Sequence, residues 1–293
     1  MTDKLRKRFI KDYGLPINVY KEPYFSYYIE RLQPYYNSKN KYDAFLKLVD
    51  KYGDGFVDIS FSYTERIIKH IQEKDEYKQL QQDKLKDFNR IYEIPEVNLY
   101  TMDNDGKKFI SIDIKQANFN ALRYYNEKLV DEYENFDEFL LEFIDREEFY
   151  EYFTKSKYIR QVIFGNLVPK KQRKIQKYMI DVIIKNLLEN NVISEDDIYS
   201  TNNDELILFD KGQDINTDLI KFSNIIRIKR FELNSIKQRK FFVKKYENGE
   251  IEFKAIPSNV FFQVLSLYED KEFDERDLMF MFENKIAKFI ETI

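Results

Sequence analysis

Three acidic side chains stand in surroundings that disfavour charge. Asp113 lies between Ile112 and Ile114 at the end of the apolar segment Phe109–Ile114, and Asp204 and Glu205 sit together just before Leu206-Ile-Leu-Phe209. A carboxylate drawn into such a place is stabilised by a cation, and oxygen-only ligands suit Mg²⁺. Between these acids, Lys155 to Ile180 holds no acidic residue and eight basic ones: Lys155, Lys157, Arg160, Lys170, Lys171, Arg173, Lys174 and Lys177. Ser156, Arg160 and Phe164 are spaced by four, so they share one helix face. Carboxylates holding two divalent ions opposite a cationic helix face are the parts that phosphoryl transfer requires. An aromatic one turn further along can stack on a base. Plainer roles exist for the acids: Asp113 as the N-cap of the helix that follows it, and Asp204-Glu205 as the tip of a hairpin.

Composition removes the competing chemistries. The 293-residue chain has no cysteine and a single histidine, His70, inside the charged helical run Arg66 to Lys74. Disulfides, zinc fingers, iron–sulfur clusters and thiol catalysis are excluded, and a Ser-His-Asp mechanism would rest on one surface-type histidine. Chemistry must come from carboxylates, Lys, Arg and metal ions. A net charge of −4 excludes coating of nucleic acid by bulk charge, which leaves local basic stripes. No apolar run is long enough to span a bilayer, and the N-terminus MTDKLRKRFIKDYG lacks the features of a secretory signal; a cytoplasmic protein without membrane partners is expected.

The elements that must position these residues read as α+β. Residues 1–61 form an N-terminal α/β region, with a short strand at Ile17–Tyr20, helices over Pro23–Leu32 and Tyr42–Lys51, and a closing loop at Gly53 and Gly55. A sparsely apolar helix over residues 62–94, capped by Ser62 or Thr64 and ended by Pro95, reads as an exposed arm or half of a helical hairpin. Val97–Met102 and Lys107–Ile114 flank Asp103-Asn-Asp-Gly106, a hairpin signal whose second strand delivers Asp113. Residues 131–152 are acidic and helical, a solvated face. Ile175–Leu188 is an apolar-striped helix, and Ile198 to Phe209 is strand, tight turn, strand. Phe241–Tyr246 and Glu250–Ile256 flank Glu247-Asn-Gly249 as another hairpin. The basic stretch Arg227 to Lys245 includes Lys229, Arg230, Lys237, Arg239 and Lys240. Two helices are expected at the end, one capped near Ser258 and one over Asp274–Glu291, with Leu278, Phe282, Ile286 and Phe289 on one face.

In this order the motifs resemble those of the family A DNA polymerases. Asp113-Ile-Lys-Gln116, with Leu122, is similar to the family's first palm motif. Arg160-x-x-x-Phe164-Gly165 resembles its fingers helix, with Arg160 in the place of a lysine. Asn203-Asp204-Glu205 between apolar strands resembles its third motif, with Asn203 in place of a histidine. Ser156, Val168 and Asn118 stand where the family has Arg, Tyr and Glu, and the last bears on sugar discrimination. The resemblance covers about residues 97–210.

The resemblance implies a compact, exonuclease-lacking right hand. Its parts would be an antiparallel-sheet palm (95–130 and 192–256), reduced helical fingers (131–191), a thumb-like helical arm (62–94) and C-terminal helices (257–293). It implies a template-directed nucleotidyltransferase using two Mg²⁺ ions, or Mn²⁺, with Asp113 and Asp204 as metal ligands and Glu205 as a third catalytic acid. Arg160, Lys157, Phe164, Gln116 and Asn118 would bind the nucleoside triphosphate. Lys170, Lys171, Arg173, Lys174, Arg227, Lys229, Arg230, Lys237, Arg239 and Lys240 would grip primer and template. A phage or viral source, with replication accessory proteins as partners, fits the same picture. The alternatives are an inactive polymerase-derived interaction protein and a single-subunit-type RNA polymerase.

Overall fold

The computed structural model describes residues 1–53 and 55–293, the Leu219 side chain excepted. Its elements in chain order are α1 (Asp3–Tyr13), α2 (Tyr24–Tyr36), α3 (Ser38–Tyr52), α4 (Gly55–Glu73), α5 (Asp75–Gln82), β1 (Lys108–Ile114), α6 (Ala117–Tyr125), α7 (Phe136–Leu141), α8 (Glu147–Lys155), α9 (Lys157–Gly165) and α10 (Pro169–Glu189). They continue with β2 (Ile198–Thr201), β3 (Glu205–Phe209), β4 (Ile226–Ser235), β5 (Phe242–Tyr246), β6 (Ile251–Lys254), α11 (Phe261–Tyr268), β7 (Met279–Phe282) and β8 (Lys285–Lys288). The protein is α+β: among the described residues, β1 to β6 form one antiparallel sheet in the order β2-β3-β1-β4-β5-β6.

Alternation along the strands divides the sheet into two unlike faces. Ile110, Ile112 and Ile114 of β1, Leu206 and Leu208 of β3, Ile226 of β4, Val243 of β5 and Phe253 of β6 join the main core with the helices. Each fully buried side chain of this size contributes roughly 1.5–3 kcal/mol. The opposite face carries a small second core at one end, where Leu99 covers Phe109, Ile207, Phe231, Leu233 and Phe242. At its other end the same face presents Ser111, Asp113, Glu205, Arg227, Lys229, Lys244 and Tyr246 to a cleft.

Four local expectations are corrected. Ile17–Tyr20 is not a strand. Val97–Met102 is not a strand, because the buried Asn104 amide bonds Leu99 O at 2.9 Å and Tyr199 Oη at 2.7 Å and folds the segment back on itself. The helix expected from Ser62 begins at Gly55, so Ser62 and Thr64 lie inside it, and Thr64 donates to the Ser60 carbonyl instead of capping. Phe56, Tyr63, Ile67 and Ile71 lie on one buried face of α4, and Tyr77, Leu80 and Leu85 are buried after it, so residues 62–85 are packed and do not project as an arm. The C-terminal helix is absent as well. Residues 275–278 form a 3₁₀ turn and β7–β8 a hairpin, with Glu283 and Asn284 (φ 47° and 61°) supplying the left-handed turn.

Candidate active site

β1 runs directly into α6 through Lys115 and Gln116, and Gln116 takes a left-handed conformation (φ 47°) to make the sharp turn. Lys115 N is pinned to Ile225 O at 2.7 Å and Ile114 N to Asp204 O at 2.9 Å. These backbone bonds bring the end of β1, the start of β3 and the start of β4 together. Asp113 consequently pairs with Glu205 on one side and Arg227 on the other, in register.

Asp113, Asp204, Glu205 and Lys157 line one cleft of 810 Å³. Helix α9 is what aims Lys157 into it. Ser156, buried completely, caps that helix by accepting from Ile159 N at 3.2 Å and donates to Asp12 O at 3.2 Å. The serine found where the resembled family has an arginine thus does a helix-capping job.

The charges in the cleft are arranged in pairs. Arg227 holds Asp113 by a two-pronged contact, Nε to Oδ1 at 3.0 Å and Nη2 to Oδ2 at 2.7 Å. Glu205 accepts from the Ser111 hydroxyl and from Asn202 Nδ2 at 3.1 Å, and Lys244 Nζ lies 3.8 Å from it. Asp204 has no such fork. Burial first, then the neighbouring charges of Glu205 and Asp113, push its carboxyl above the usual range, with Lys157 opposing them. Its negative charge is the least compensated of the three.

The donor set is carboxylate, hydroxyl, carboxamide and backbone oxygen, which suits a hard divalent cation such as Mg²⁺ or Mn²⁺. Repulsion at Asp204 is the kind that a cation relieves. Among the described residues, no three His, Asp or Glu side chains are gathered as a ready cage, so a cation would be held by one or two carboxylates and solvent.

The other residues singled out from sequence are dispersed. Phe164 is 2% exposed, with its ring 5.5 Å from Phe136 and 6.5 Å from Phe119, so it is core and does not face a base. Arg160 is not among the side chains lining the cleft; it donates to Thr154 O at 2.6 Å, and burial lowers its pKa against the raising effect of Asp137. Gln116 accepts from Phe136 N at 3.0 Å, and Asn118 accepts from Gln176 at 2.8 Å, both as braces between helices.

The basic residues divide too. Lys170, Arg173 and Lys174 line a second groove, of 520 Å³, together with Arg90, Lys177 and Asn203. Lys171 instead donates to Leu80 O, Gln81 O and Asp83 O at 2.5–2.7 Å, tying off the C-terminus of α5. Arg227 and Lys229 belong to the cleft. Arg230 pairs with Asp210 and Lys237 with Asp270, while Arg239 and Lys240 are exposed on the β4–β5 connection. Asn203 borders the basic groove and Asp204 the cleft, so the two depressions meet at the tip of the β2–β3 hairpin.

Sequence reasoning overlooked Lys244. It is 4% exposed and its ammonium sits 4.3 Å from the centroid of the Phe231 ring, on the floor of the cleft. The alternation Phe242-x-Lys244-x-Tyr246 carried the signal, since it puts a lysine on the inward face of a strand. Tyr35, Tyr100 and Tyr246 also line the cleft. No protein-family model, no curated protein and no solved structure matches the chain.

Proposed function

We propose that the protein is a template-directed nucleotidyltransferase that joins nucleoside triphosphates to a primer 3′-hydroxyl. The observation that carries this reading is the meeting of Asp113, Asp204 and Lys157 in one cleft at the end of an antiparallel sheet, beside a groove walled by Arg90, Lys170, Arg173, Lys174 and Lys177. The sheet would serve as palm and α7 to α10 as reduced fingers. Asp113 and Asp204 would hold the divalent ions, which when bound supply activation of the hydroxyl and neutralisation of the phosphates. Lys157, mounted on the first turn of α9, faces the triphosphate. Glu205, fastened by Ser111 and Asn202, keeps the hairpin tip in place. The basic groove holds nucleic-acid backbone by charge.

Primer extension with DNA and RNA templates, deoxyribo- and ribonucleotides, and Mg²⁺ or Mn²⁺ tests the reading and separates it from a single-subunit-type RNA polymerase. The wild type extends in at least one combination, and Asp113→Ala and Asp204→Ala abolish extension. A wild type that extends no primer in any combination refutes it. A second reading, a polymerase-derived binding protein without turnover, is favoured by the burial of Phe164 and by the displacement of Arg160 from the cleft. Such a protein would show no thermal stabilisation by Mg²⁺ and nucleoside triphosphate together.

A further inference from the structure

The two-pronged contact between Arg227 and Asp113 joins neighbouring strands at the position where the cleft would hold a cation. The Asp113 side chain is 20% exposed, whereas the Arg227 side chain is 54% exposed, so the arginine can swing away without opening the core. Both line the cleft, with Lys229 two residues along the same strand and on the same face. A guanidinium satisfies both oxygens of a carboxylate, and its fork fits two oxygens of a phosphate equally well.

We propose that Arg227 is an exchangeable counter-ion. It occupies Asp113 until a divalent cation takes that carboxylate, and the released guanidinium then binds a phosphate of the incoming triphosphate. Metal and nucleotide binding are coupled through one side chain: the cation frees the arginine, and the arginine's new partner favours the cation. The inference rests on the proposed metal-dependent reading of the cleft.

The exchange predicts effects of opposite sign in one variant. In Arg227→Gln, Asp113 has no competitor, so calorimetric titration of the full chain with Mn²⁺ alone shows affinity about fivefold tighter than wild type, the scale of a partly exposed ion pair. Binding of dATP at saturating Mg²⁺ weakens several-fold in the same variant. Arg227→Lys keeps the charge, loses the fork and shifts both affinities in the same directions by less; it carries the test if the glutamine variant does not fold. Unchanged or weaker Mn²⁺ binding in a folded variant overturns the proposal, as does unchanged dATP binding or a wild type that takes up no Mn²⁺. The opposed shifts are read without turnover. If they appear and primers are still not extended, the polymerase reading fails and the exchange stands; if primers are extended and the shifts are missing, the exchange alone fails.

Discussion

Asp113 and Glu205 stand directly opposite each other on adjacent antiparallel strands, with both side chains on the cleft face of the sheet. Like charges in that relationship destabilise a sheet, and the cleft manages them with Arg227 on one and Ser111, Asn202 and Lys244 on the other. Asp204 bears the uncompensated part. Its carboxyl is raised by burial and by its two acidic neighbours, so the folded state holds a proton more tightly than the unfolded chain. Above that raised value the penalty is fully present. As pH falls from there through the usual 3.8, the folded state is protonated first and the penalty disappears. Under the proposed function Asp204→Asn abolishes primer extension, and by removing the penalty it raises stability at neutral pH. Thermal melts from pH 4 to 8 check this: the stabilisation over wild type shrinks as the solution is acidified.

Lys244 makes the complementary prediction. Burial lowers its pKa, against the raising influence of Glu205, so the folded state disfavours the ammonium. That penalty is complete below the lowered folded value and is gone above 10.5, with stability rising between the two. Lys244→Met removes both the penalty and the alkaline rise. Stability at neutral pH changes by no more than about 1 kcal/mol, because a methionine of similar length packs on Phe231. Pyrophosphate binding, measured by calorimetry, weakens, because an ammonium on the cleft floor is lost.

Two neighbouring basic residues of α10, Lys171 and Arg173, should behave differently from one another. Lys171 closes the C-terminus of α5 with three carbonyl contacts, so Lys171→Ala lowers unfolding stability by about 1–2 kcal/mol in urea titrations. Arg173 is exposed in the basic groove, and Arg173→Ala leaves stability unchanged. Under the proposed function its effect is on primer–template binding, where the slope of log affinity against log salt falls by about one contact's worth.

Phe164→Ala separates core from site. The ring is enclosed by Phe119 and Phe136, so its removal costs about 3–5 kcal/mol by the cavity it leaves. Phe164→Leu costs less and leaves the nucleotide KM of any active preparation unchanged, since the ring touches no part of the cleft. A stacking role would instead show as a raised KM in the stable leucine variant.

What the sequence revealed follows from how local each signal was. The strand carrying Asp113, the hairpin carrying Asp204 and the helix over Ile175–Leu188 were legible because alternation, turn residues and the apolar stripe each sit within a few positions. The last segment was misread for a physical reason. The helical spacing of Leu278, Phe282 and Ile286 runs across a bend: Leu278 ends the 3₁₀ turn, Phe282 ends β7 and Ile286 lies in β8, with Glu283 and Asn284 turning the chain between them. The 97–104 segment was misread because Asn104 finds its partner in Tyr199, almost a hundred residues away. The site was half legible for the same reason: Asp113, Asp204 and Lys157 announce themselves by local context, whereas the partnership of Lys244 with Glu205 exists only once β5 and β3 share a sheet face.

The alternation of β1 has one more consequence. A slip of a single residue in its pairing would turn Ser111 and Asp113 into the main core and leave Ile110, Ile112 and Ile114 facing water. Such a chain would bury a carboxylate among helices and could not compete with the correct pairing. The fold therefore proofreads its own chemistry. A molecule that has reached the native register has already put Asp113 in the cleft.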